Sequence, residues 1–348
     1  MKPLVSILMP AYNAGRWIAD SIQSALAQTW QRREIIVVDD GSTDRTAEVA
    51  KRFAAQGVTV VSTPNRGLSA AVNHAFRVCQ GDYIQELDAD DLMAPHKIEW
   101  QLAALRESDS KRILLSSPWA PFYYRTSQAR FIRNPLWQDL SPVEWLLRKM
   151  SQNLHMQNAT WLVSRELAEA AGPWDESLQY DQDGEYFARV LRCCAGTRFV
   201  SGSGIYYRAS GTASISYIGN SEKKKESLLR SMKLHISYLR ALEESERVRA
   251  ACVTYLQNWC GVFFPGRPDL MNELQDLAAQ LGGRLGPPRI GWKYAWIEPL
   301  FGWSAAQRAQ RSFPQLRASI LRKWDKTMYK LEARRAAVSL VQSSSENV

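Results

Sequence analysis

Two groups of carboxylates are the residues of this chain that are best placed for chemistry. The first is Asp39–Asp40 and the second lies within Asp88–Asp91, and each follows an apolar run, 34–38 and 83–87. Two carboxylates 4 Å apart repel each other by about 4 kcal/mol at an effective dielectric constant of 20. Such groups are stable together when a divalent cation or the hydrogen-bond donors of a ligand lie between them. The pattern predicts a site for a metal ion and a nucleotide.

The elements around these groups predict an α/β fold that brings them to one edge of a sheet. Predicted strands and helices alternate through short connections, which is typical of a Rossmann-like, mostly parallel sheet with helices on both faces. The predicted strands are 5–9, 34–38, 58–62 and 83–87, and the predicted helices are 15–28, 46–55 and 68–79. Ser42 or Thr43 is expected to cap the second helix. Ligands of such sheets bind outside the carboxyl ends of the strands, where both acidic groups lie.

The length of the chain and a change of pattern indicate a second unit. Single hydrophobic cores stop growing at roughly 250–300 residues, and this chain has 348. After residue 220 the sequence becomes helical, beginning with a charged amphipathic helix at 223–251. We therefore predict a catalytic domain at 1–220 and an α-helical C-terminal extension at 221–348.

The end of this extension is basic and rich in tryptophan. From Gly291 onwards it holds 10 Lys and Arg against 4 Asp and Glu, interleaved with four tryptophans. One interpretation is a surface for anionic lipid headgroups, which would make peripheral membrane contact, or for a polyanionic acceptor. Oligomerisation is an alternative role for the extension. An ordinary helical surface that covers its core with long basic side chains is equally open.

Cysteine content and hydropathy bear on the compartment. No run of 18 apolar residues is present, so no membrane-spanning helix is predicted. The five cysteines are an odd number without metal-binding spacing, which favours a reducing environment over a zinc site or a disulfide framework. We expect a cytoplasmic protein, or one that is peripheral at the cytoplasmic membrane face, and no nucleic-acid partner.

Four motifs, in this order and spacing, resemble family 2 glycosyltransferases. The motifs are Val5–Asn13, Asp39–Asp44, Asn65–Asn73 and Leu87–Asp91. The resemblance covers roughly residues 3–216 and implies an inverting enzyme with the GT-A fold, which binds a nucleotide sugar. It implies transfer of a sugar from a nucleotide-diphospho-sugar, most simply a UDP-sugar, to a hydroxyl of a saccharide, lipid-linked or protein acceptor. Cell-envelope polysaccharide synthesis is one such setting.

The first two motifs supply candidates for binding the nucleotide. Tyr12 can stack on a planar base while backbone groups of Pro10 and Ala11 meet the edge of the base, although a tyrosine that closes the core is the alternative. A carboxylate at the end of the second strand can accept from a base N–H or a ribose hydroxyl. The resemblance favours Asp40 for the base without excluding Asp39.

The third motif is expected to open a helix beside the donor. Backbone N–H groups of Asn65, Arg66 and Gly67, together with the Arg66 guanidinium, can face a phosphate or a sugar hydroxyl. The alternative is a loop in which Gly67 supplies a positive φ.

The acidic triplet is the DxD motif of the resemblance. If the strand continues, Asp88 and Asp90 point to the same side and can share one cation, or divide between ribose and metal. Mn²⁺ or Mg²⁺ is the expected cofactor, bound between these oxygens and the diphosphate of the donor. Asp91 is expected to face away or to cap the next helix.

The resemblance also implies a catalytic base. Inversion requires a group that takes the proton of the acceptor hydroxyl, and the segment Trp174–Tyr186 places Asp183 in that role. Gln182 stands where the family usually has Glu, and the lost negative charge eases ionisation of Asp183. Asp181 is the rival base.

Ser210 stands where the family often has a histidine that helps to hold the metal and diphosphate, which implies a looser metal site. Arg208 can offset the charge of the leaving group.

Two other functions are open. A non-catalytic protein that binds a nucleotide sugar or acts as a scaffold is the main alternative. A sugar nucleotidyltransferase is disfavoured, because the first strand is followed by Ala11–Gly15 and not by a Gly-rich loop with Arg and Lys.

Overall fold

The structure, a computed structural model, describes residues 2–105, 111–209, 217–219 and 221–345. The strands are β1 (Val5–Ala11), β2 (Arg33–Asp40), β3 (Val58–Thr63), β4 (Tyr83–Glu86), β5 (Leu92–Met93), β6 (Ile113–Ser116), β7 (Trp119–Phe122), β8 (Val163–Ser164), β9 (Gly196–Phe199) and β10 (Ile205–Arg208). The α-helices are α1 (Ile18–Leu26), α2 (Thr46–Lys51), α3 (Leu68–Val78), α4 (Lys97–Ala103), α5 (Pro142–Gln152), α6 (Arg165–Ala171), α7 (Gln182–Cys193), α8 (Glu222–Leu242), α9 (Glu246–Phe263), α10 (Pro268–Gln280), α11 (Trp292–Ala295), α12 (Glu298–Phe301) and α13 (Trp303–Ser345). Short 3₁₀ turns lie at Ala54–Gln56, Thr126–Gln128 and Asn158–Thr160.

A five-stranded sheet in the order β3-β2-β1-β4-β8 confirms the predicted α/β class. The first four strands run parallel, and β8 pairs antiparallel with β4 at the edge. Because β1 lies between β2 and β4, the strand order reverses beside it, and a crevice opens there at the carboxyl ends. The register pairs Ala11 with Asp39 and Leu8 with Glu86, so the ends of all three strands lie together. Two smaller sheets have the orders β5-β10-β7 and β6-β9.

Alternate residues of the central strands enter two different cores. Leu8, Ile36 and Val38 pack with α3 in one buried cluster. Ile7 and Val37, one position away, pack with α1 in the other. Successive side chains of a strand point to opposite faces, so the continuous apolar runs of β1 and β2 cover both faces of the sheet with helices, as predicted.

The chain forms two compact units, and the division does not fall at residue 220. The first comprises 1–120, 131–207 and 218–288, and the second comprises 121–130, 208–217 and 289–348. Helices α8, α9 and α10 belong to the first unit because their apolar faces share its larger buried cluster with α5 and α7. An amphipathic helix needs a covering surface for its apolar face, and here the sheet domain provides it.

Three predicted helices differ in extent from those observed, and the first of them, predicted at 15–28, is α1 at Ile18–Leu26. The predicted helix 223–251 is two helices, since α8 ends at Leu242 and α9 begins at Glu246, where Ser245 Oγ accepts from the N–H of Val248 (3.4 Å). Helix α2 is shorter than predicted and ends at Lys51. Within the described residues, no helix combines the length and apolar character needed to cross a bilayer.

Candidate active site

The loop after β1 is tied to the loop after β2. The backbone N–H of Asn13 donates to Ser42 Oγ (2.9 Å), and Asn13 Oδ1 accepts from the backbone N–H of Thr43 (2.9 Å). Asn13 has a φ of 49°, a left-handed conformation that Asn tolerates. The side chain of Tyr12, the residue before Asn13, is half exposed and therefore does not close the core. The prediction of Ser42 or Thr43 as the cap of α2 is wrong, because both are engaged with Asn13.

Asp39 and Asp40 end β2 and are both buried. The two carboxylate oxygens of Asp40 accept from the backbone N–H groups of Arg66 (2.9 Å) and Gly67 (2.8 Å). Asp39 accepts a longer bond from the N–H of Ser42 (3.3 Å). Asp40 therefore fixes the loop that opens α3, and Asp39 has the greater freedom to accept from a ligand.

Two backbone N–H groups of the loop Asn65–Gly67 donate within the protein, whereas the prediction had them face a phosphate or a sugar hydroxyl. Its two N–H groups at Arg66 and Gly67 are used by Asp40, while Gly67 has the positive φ of 93° that the alternative interpretation expected. The Arg66 guanidinium, largely exposed, forms an ion pair with Glu176 (2.8 Å).

Glu176 connects this loop to the segment that precedes α7. Its other oxygen accepts from Asn73 Nδ2 (3.1 Å), and Asn73 exchanges hydrogen bonds with the backbone of Trp174 (2.8 and 3.0 Å). Helix α3 therefore holds the segment that carries the predicted base.

The acidic triplet forms a turn after β4. The N–H of Asp91 donates to the carbonyl of Asp88 (3.0 Å). The strand therefore does not continue through the triplet, and this continuation was the condition for Asp88 and Asp90 to point to the same side. Asn158 Nδ2 donates to Asp88 Oδ1 (3.2 Å), and Gln157 Nε2 donates to Asp91 Oδ2 (2.7 Å). Asp91 is completely buried. Gln157, the residue before the 3₁₀ turn Asn158–Thr160, therefore holds the Asp91 carboxylate, and Asn158 of the turn holds that of Asp88.

Asn158 and Gln157 are site residues that sequence reasoning missed. They stand in an irregular stretch between α5 and β8, and only their pairing with the triplet reveals them. The signal in the sequence was weak: two adjacent amides in an otherwise apolar stretch, Met156–Leu162.

A buried lysine supports the 3₁₀ turn Asn158–Thr160 through two glutamines. Lys97, completely buried on α4, donates to the side-chain oxygens of Gln85 and, at 2.7 Å, Gln101. The amide nitrogens of these glutamines donate in turn to the carbonyls of Ala159 (2.8 Å) and Thr160 (3.0 Å). Burial holds the pKa of Lys97 well below its usual value. The turn that carries Asn158 is thus fixed to β4 and α4 by a polar network.

The structure brings the carboxylates of the triplet and of α7 within electrostatic reach of each other. Burial, and next the charge of Asp90, raise the pKa of Asp88 to about 7, and the charge of Asp183 adds to the shift. Burial raises the pKa of Glu86, at the end of β4, well above its usual value, and the charges of Asp88 and Asp183 raise it further. Asp88 therefore interacts electrostatically with Asp90 and Asp183, and Glu86 with Asp88 and Asp183.

The carboxylates present fit a divalent cation whose coordination shell is completed by oxygen atoms of a bound substrate. No group of three or more His, Cys, Asp and Glu side chains that could hold a metal ion is found in the part of the chain that the structure describes. Asp88 and Asp90 supply carboxylate oxygens. Mg²⁺ is commonly held by one or two carboxylates together with the phosphates of a substrate, and this pair matches that arrangement.

Asp183 and its rival Asp181 have different surroundings. Asp181 precedes α7 in a left-handed conformation (φ 59°), and its carboxylate accepts from Ser231 Oγ of α8 (2.5 Å). Asp183 lies in the first turn of α7. Burial and the charge of Asp181 raise the pKa of Asp183, and His155 opposes the rise. Asp181 is thus held by α8, while Asp183 interacts with the acidic cluster.

Arg208 and Ser210 are the remaining predicted residues. Arg208 belongs to the second unit, where its guanidinium lies 4.5 Å from the ring centre of Phe122 and donates to the carbonyl of Tyr123 (3.4 Å). Ser210 lies outside the described residues.

A cavity of about 650 Å³ in the first unit does not coincide with the acidic cluster. Four aromatic side chains, together with Pro118 and Arg133, form much of its lining: Phe131, Trp137, Phe199 and Tyr206. None of the predicted site residues lines this cavity.

The chain is similar to several known proteins. It is 31% identical over 191 residues to an uncharacterized glycosyltransferase of Rickettsia typhi, which covers 55% of this chain and 59% of that protein. It shares 17% identity and a TM-score of 0.64 with the structure of S. aureus TarS 1-349 in complex with UDP-GlcNAc, over 81% of both chains. The mannosyltransferase PcManGT from Pyrobaculum calidifontis, in complex with GDP-Man and Mn²⁺, has a TM-score of 0.51 at 16% identity, over 94% of this chain and 88% of that one.

These similarities support the predicted fold and family. The structural likenesses show a shared α/β fold with a mostly parallel sheet. The chain spans 59% of the length of the Rickettsia typhi protein, and it likewise spans less than two thirds of other curated relatives that it matches. Residues 6–167 match the model of "Glycosyl transferase family 2", which contains the loops of β1, β2 and β4 and the turn that holds the triplet. Over these residues the chain is similar to glycosyltransferase family 2.

Proposed function

We propose that the chain transfers a sugar from a nucleotide-diphospho-sugar, a UDP-sugar, to an acceptor hydroxyl with inversion at the anomeric carbon. The observation that carries the proposal is that Asp88, in the turn after β4, lies within electrostatic reach of both Asp90 and Asp183. The similarity of residues 6–167 to glycosyltransferase family 2 supports the donor class. A structural neighbour was solved with UDP-GlcNAc, which supports UDP as the nucleotide.

The donor is bound by the loops after β1 and β2. Tyr12, half exposed, stacks on the base, while the backbone of Pro10 and Ala11 and the carboxylate of Asp39 meet its polar edge. Asp40 acts through the loop Asn65–Gly67, which it holds by two hydrogen bonds.

The diphosphate lies beside the triplet. Asp88 and Asp90 would hold Mn²⁺ or Mg²⁺, and a Mn²⁺ complex of a structural neighbour supports this assignment. Bound there, the ion supplies Lewis-acid stabilisation of the diphosphate leaving group. Asn158 fixes the orientation of Asp88, and Arg208 is proposed to offset charge on the departing diphosphate.

Asp183 is the general base. The acceptor oxygen forms a bond to the anomeric carbon, its proton passes to the Asp183 carboxylate, and the bond from the anomeric carbon to the diphosphate oxygen breaks. The products are a glycoside of inverted configuration and a nucleoside diphosphate. Asp183 lies in the first turn of α7 and interacts electrostatically with Asp88, which supports this role, while Asp181 is engaged by Ser231.

The acceptor is a saccharide, a lipid-linked molecule or a protein. We place the reaction in the cytoplasm, because all five cysteines are free thiols, as is usual in a reducing compartment.

Two measurements test the proposal. Calorimetric titration with UDP, GDP, CDP and dTDP, in Mn²⁺ and in EDTA, is expected to show UDP binding that requires the metal. NMR of the products of a UDP-sugar then reports turnover and the anomeric configuration. Binding without transfer or hydrolysis of any donor would favour a non-catalytic nucleotide-sugar-binding protein, and no binding of any nucleotide would favour a scaffold.

A further inference from the structure

The second unit exposes large apolar side chains along one stripe of its long helix. On α13, Phe313, Leu316, Ile320 and Trp324 are each more than half exposed. Their spacings of three, four and four residues place them on one side of a helix with 3.6 residues per turn. An amphipathic helix normally buries such a stripe, and this stripe is open to solvent.

The other side of the same helix is already packed within the unit. Asp325, buried, pairs with Arg125 (2.6 Å), and Glu332 pairs with the same guanidinium (2.6 Å). The ring of Tyr329 lies 5.9 Å from that of Tyr124. These contacts lie on a side of α13 different from Leu316 and Ile320, while at the ends of the stripe Trp324 lies 5.2 Å from the Arg125 guanidinium and Phe313 stacks on Tyr294 (6.2 Å). All four side chains of the stripe are still more than half exposed.

Two short helices add further exposed aromatic surface. Trp292 is 83% exposed and Phe301 is 70% exposed, and Trp296 and Leu300 between them are also open to solvent. Isolated exposed apolar residues are normal, but contiguous sets mark interaction surfaces. Tryptophan is typical of surfaces that contact the interface between lipid and water.

The charge of the second unit identifies the partner. Between Arg289 and Glu332 the sequence holds nine Lys and Arg against three Asp and Glu. Two of the three acids, Asp325 and Glu332, are engaged by Arg125, which lies outside this segment. Arg317 stands four positions after Phe313 and three before Ile320, which places it beside the apolar stripe on the helix surface. An apolar stripe flanked by basic residues complements an anionic bilayer, which takes both features at once.

We propose that the second unit docks on an anionic lipid surface, with the apolar stripe of α13 and the exposed residues of α11 and α12 inserted at the headgroup level. A second copy of this chain would cover the apolar stripe but would bring two positively charged surfaces together. The inference goes beyond the proposed glycosyl transfer and does not depend on it.

Sedimentation of the full chain with vesicles tests the docking. Vesicles with 30% phosphatidylglycerol in phosphatidylcholine are expected to bind the protein at low salt, and pure phosphatidylcholine vesicles to bind it at least tenfold more weakly. Absence of binding to the anionic vesicles at low salt would overturn the proposal.

A pair of double variants isolates the stripe. Leu316→Ser with Ile320→Ser is expected to lower the vesicle partition coefficient by about 100-fold, since each side chain contributes roughly tenfold through apolar burial. The control, Ser312→Ala with Gln315→Ser, changes exposed residues off the stripe and is expected to bind as the parent does. Equal binding by the stripe variant would overturn insertion of the stripe. Concentration-dependent dimerisation without lipid, lost in the stripe variant, would assign the stripe to a second copy instead.

Discussion

Asn158 donates a hydrogen bond from Nδ2 to Oδ1 of Asp88 at 3.2 Å, although 70 positions separate the two residues in the sequence. The bond crosses from a 3₁₀ turn to the turn after β4, and it fixes one oxygen of the carboxylate that is proposed to bind metal. Residues that orient a metal ligand in this way typically affect metal affinity or activity by 10- to 100-fold.

Replacement of Asn158 by Ala is therefore expected to raise the Mn²⁺ concentration needed for half-maximal donor turnover by roughly 10- to 100-fold. The control is Asn134→Ala, which removes a similar amide bond, to the carbonyl of His155 (3.0 Å). An unchanged metal requirement in Asn158→Ala, with turnover intact, would contradict the role given to this residue.

Replacement of Asp183 by Asn is expected to lower the rate of sugar transfer by roughly 10²- to 10⁴-fold, the usual contribution of a general base, with UDP binding retained. Asp181→Asn is the matched variant, because Asn tolerates the left-handed conformation at this position. The initial rate of UDP release separates the two variants. If Asp181→Asn loses transfer and Asp183→Asn does not, the base has been assigned to the wrong carboxylate.

Gly184 leaves the space that the Asp181 carboxylate occupies. A Cβ at Gly184 would lie 2.0 Å from Asp181 Oδ1, so Gly184→Ala is expected to lower the free energy of unfolding by about 1–3 kcal/mol. At Gly266 a Cβ meets nothing within 4 Å, and Gly266→Ala should be neutral or slightly stabilising. Urea denaturation of both variants decides the matter, and equal midpoints would show that the carboxylate can move aside freely.

His235 predicts an acid dependence of stability. It is completely buried between Tyr255 (2.9 Å from Nδ1 to the hydroxyl) and Asp181 (3.8 Å from Nε2). Burial, and next the charge of Lys149, lower its pKa from 6.5 to about 4, against the opposing charge of Asp181. The unfolded chain therefore binds a proton below pH 6.5 that the folded protein takes up only near pH 4, so stability is lost as the pH falls through this window.

Between pH 7.5 and pH 5.0 this group is expected to contribute a loss of about 2 kcal/mol in the free energy of unfolding. His235→Gln keeps a polar partner for Tyr255 but does not titrate, so its urea midpoint should fall less than that of the parent over this range. Parallel pH profiles for parent and variant would show that His235 is not held neutral in the folded protein.

Local sequence patterns predicted the sheet and most of its elements. Strands β3 and β4 and helix α3 lie within one residue of their predicted bounds, because apolar periodicity and stop signals are local properties. The acidic groups after β2 and β4 could be placed at one edge of the sheet for a similar reason, since parallel strands bring their carboxyl ends together.

Tertiary structure decided which polar groups act on the site and where the units divide. Asn158 reaches Asp88, and Asp40 reaches Gly67, only after distant segments fold together. The same holds for α8–α10, whose local pattern reads as a separate helical extension but whose apolar faces are buried in the first unit. Local pattern shows that a helix has an apolar face, but the surface that covers it is set by packing between segments distant in sequence, which no single window contains.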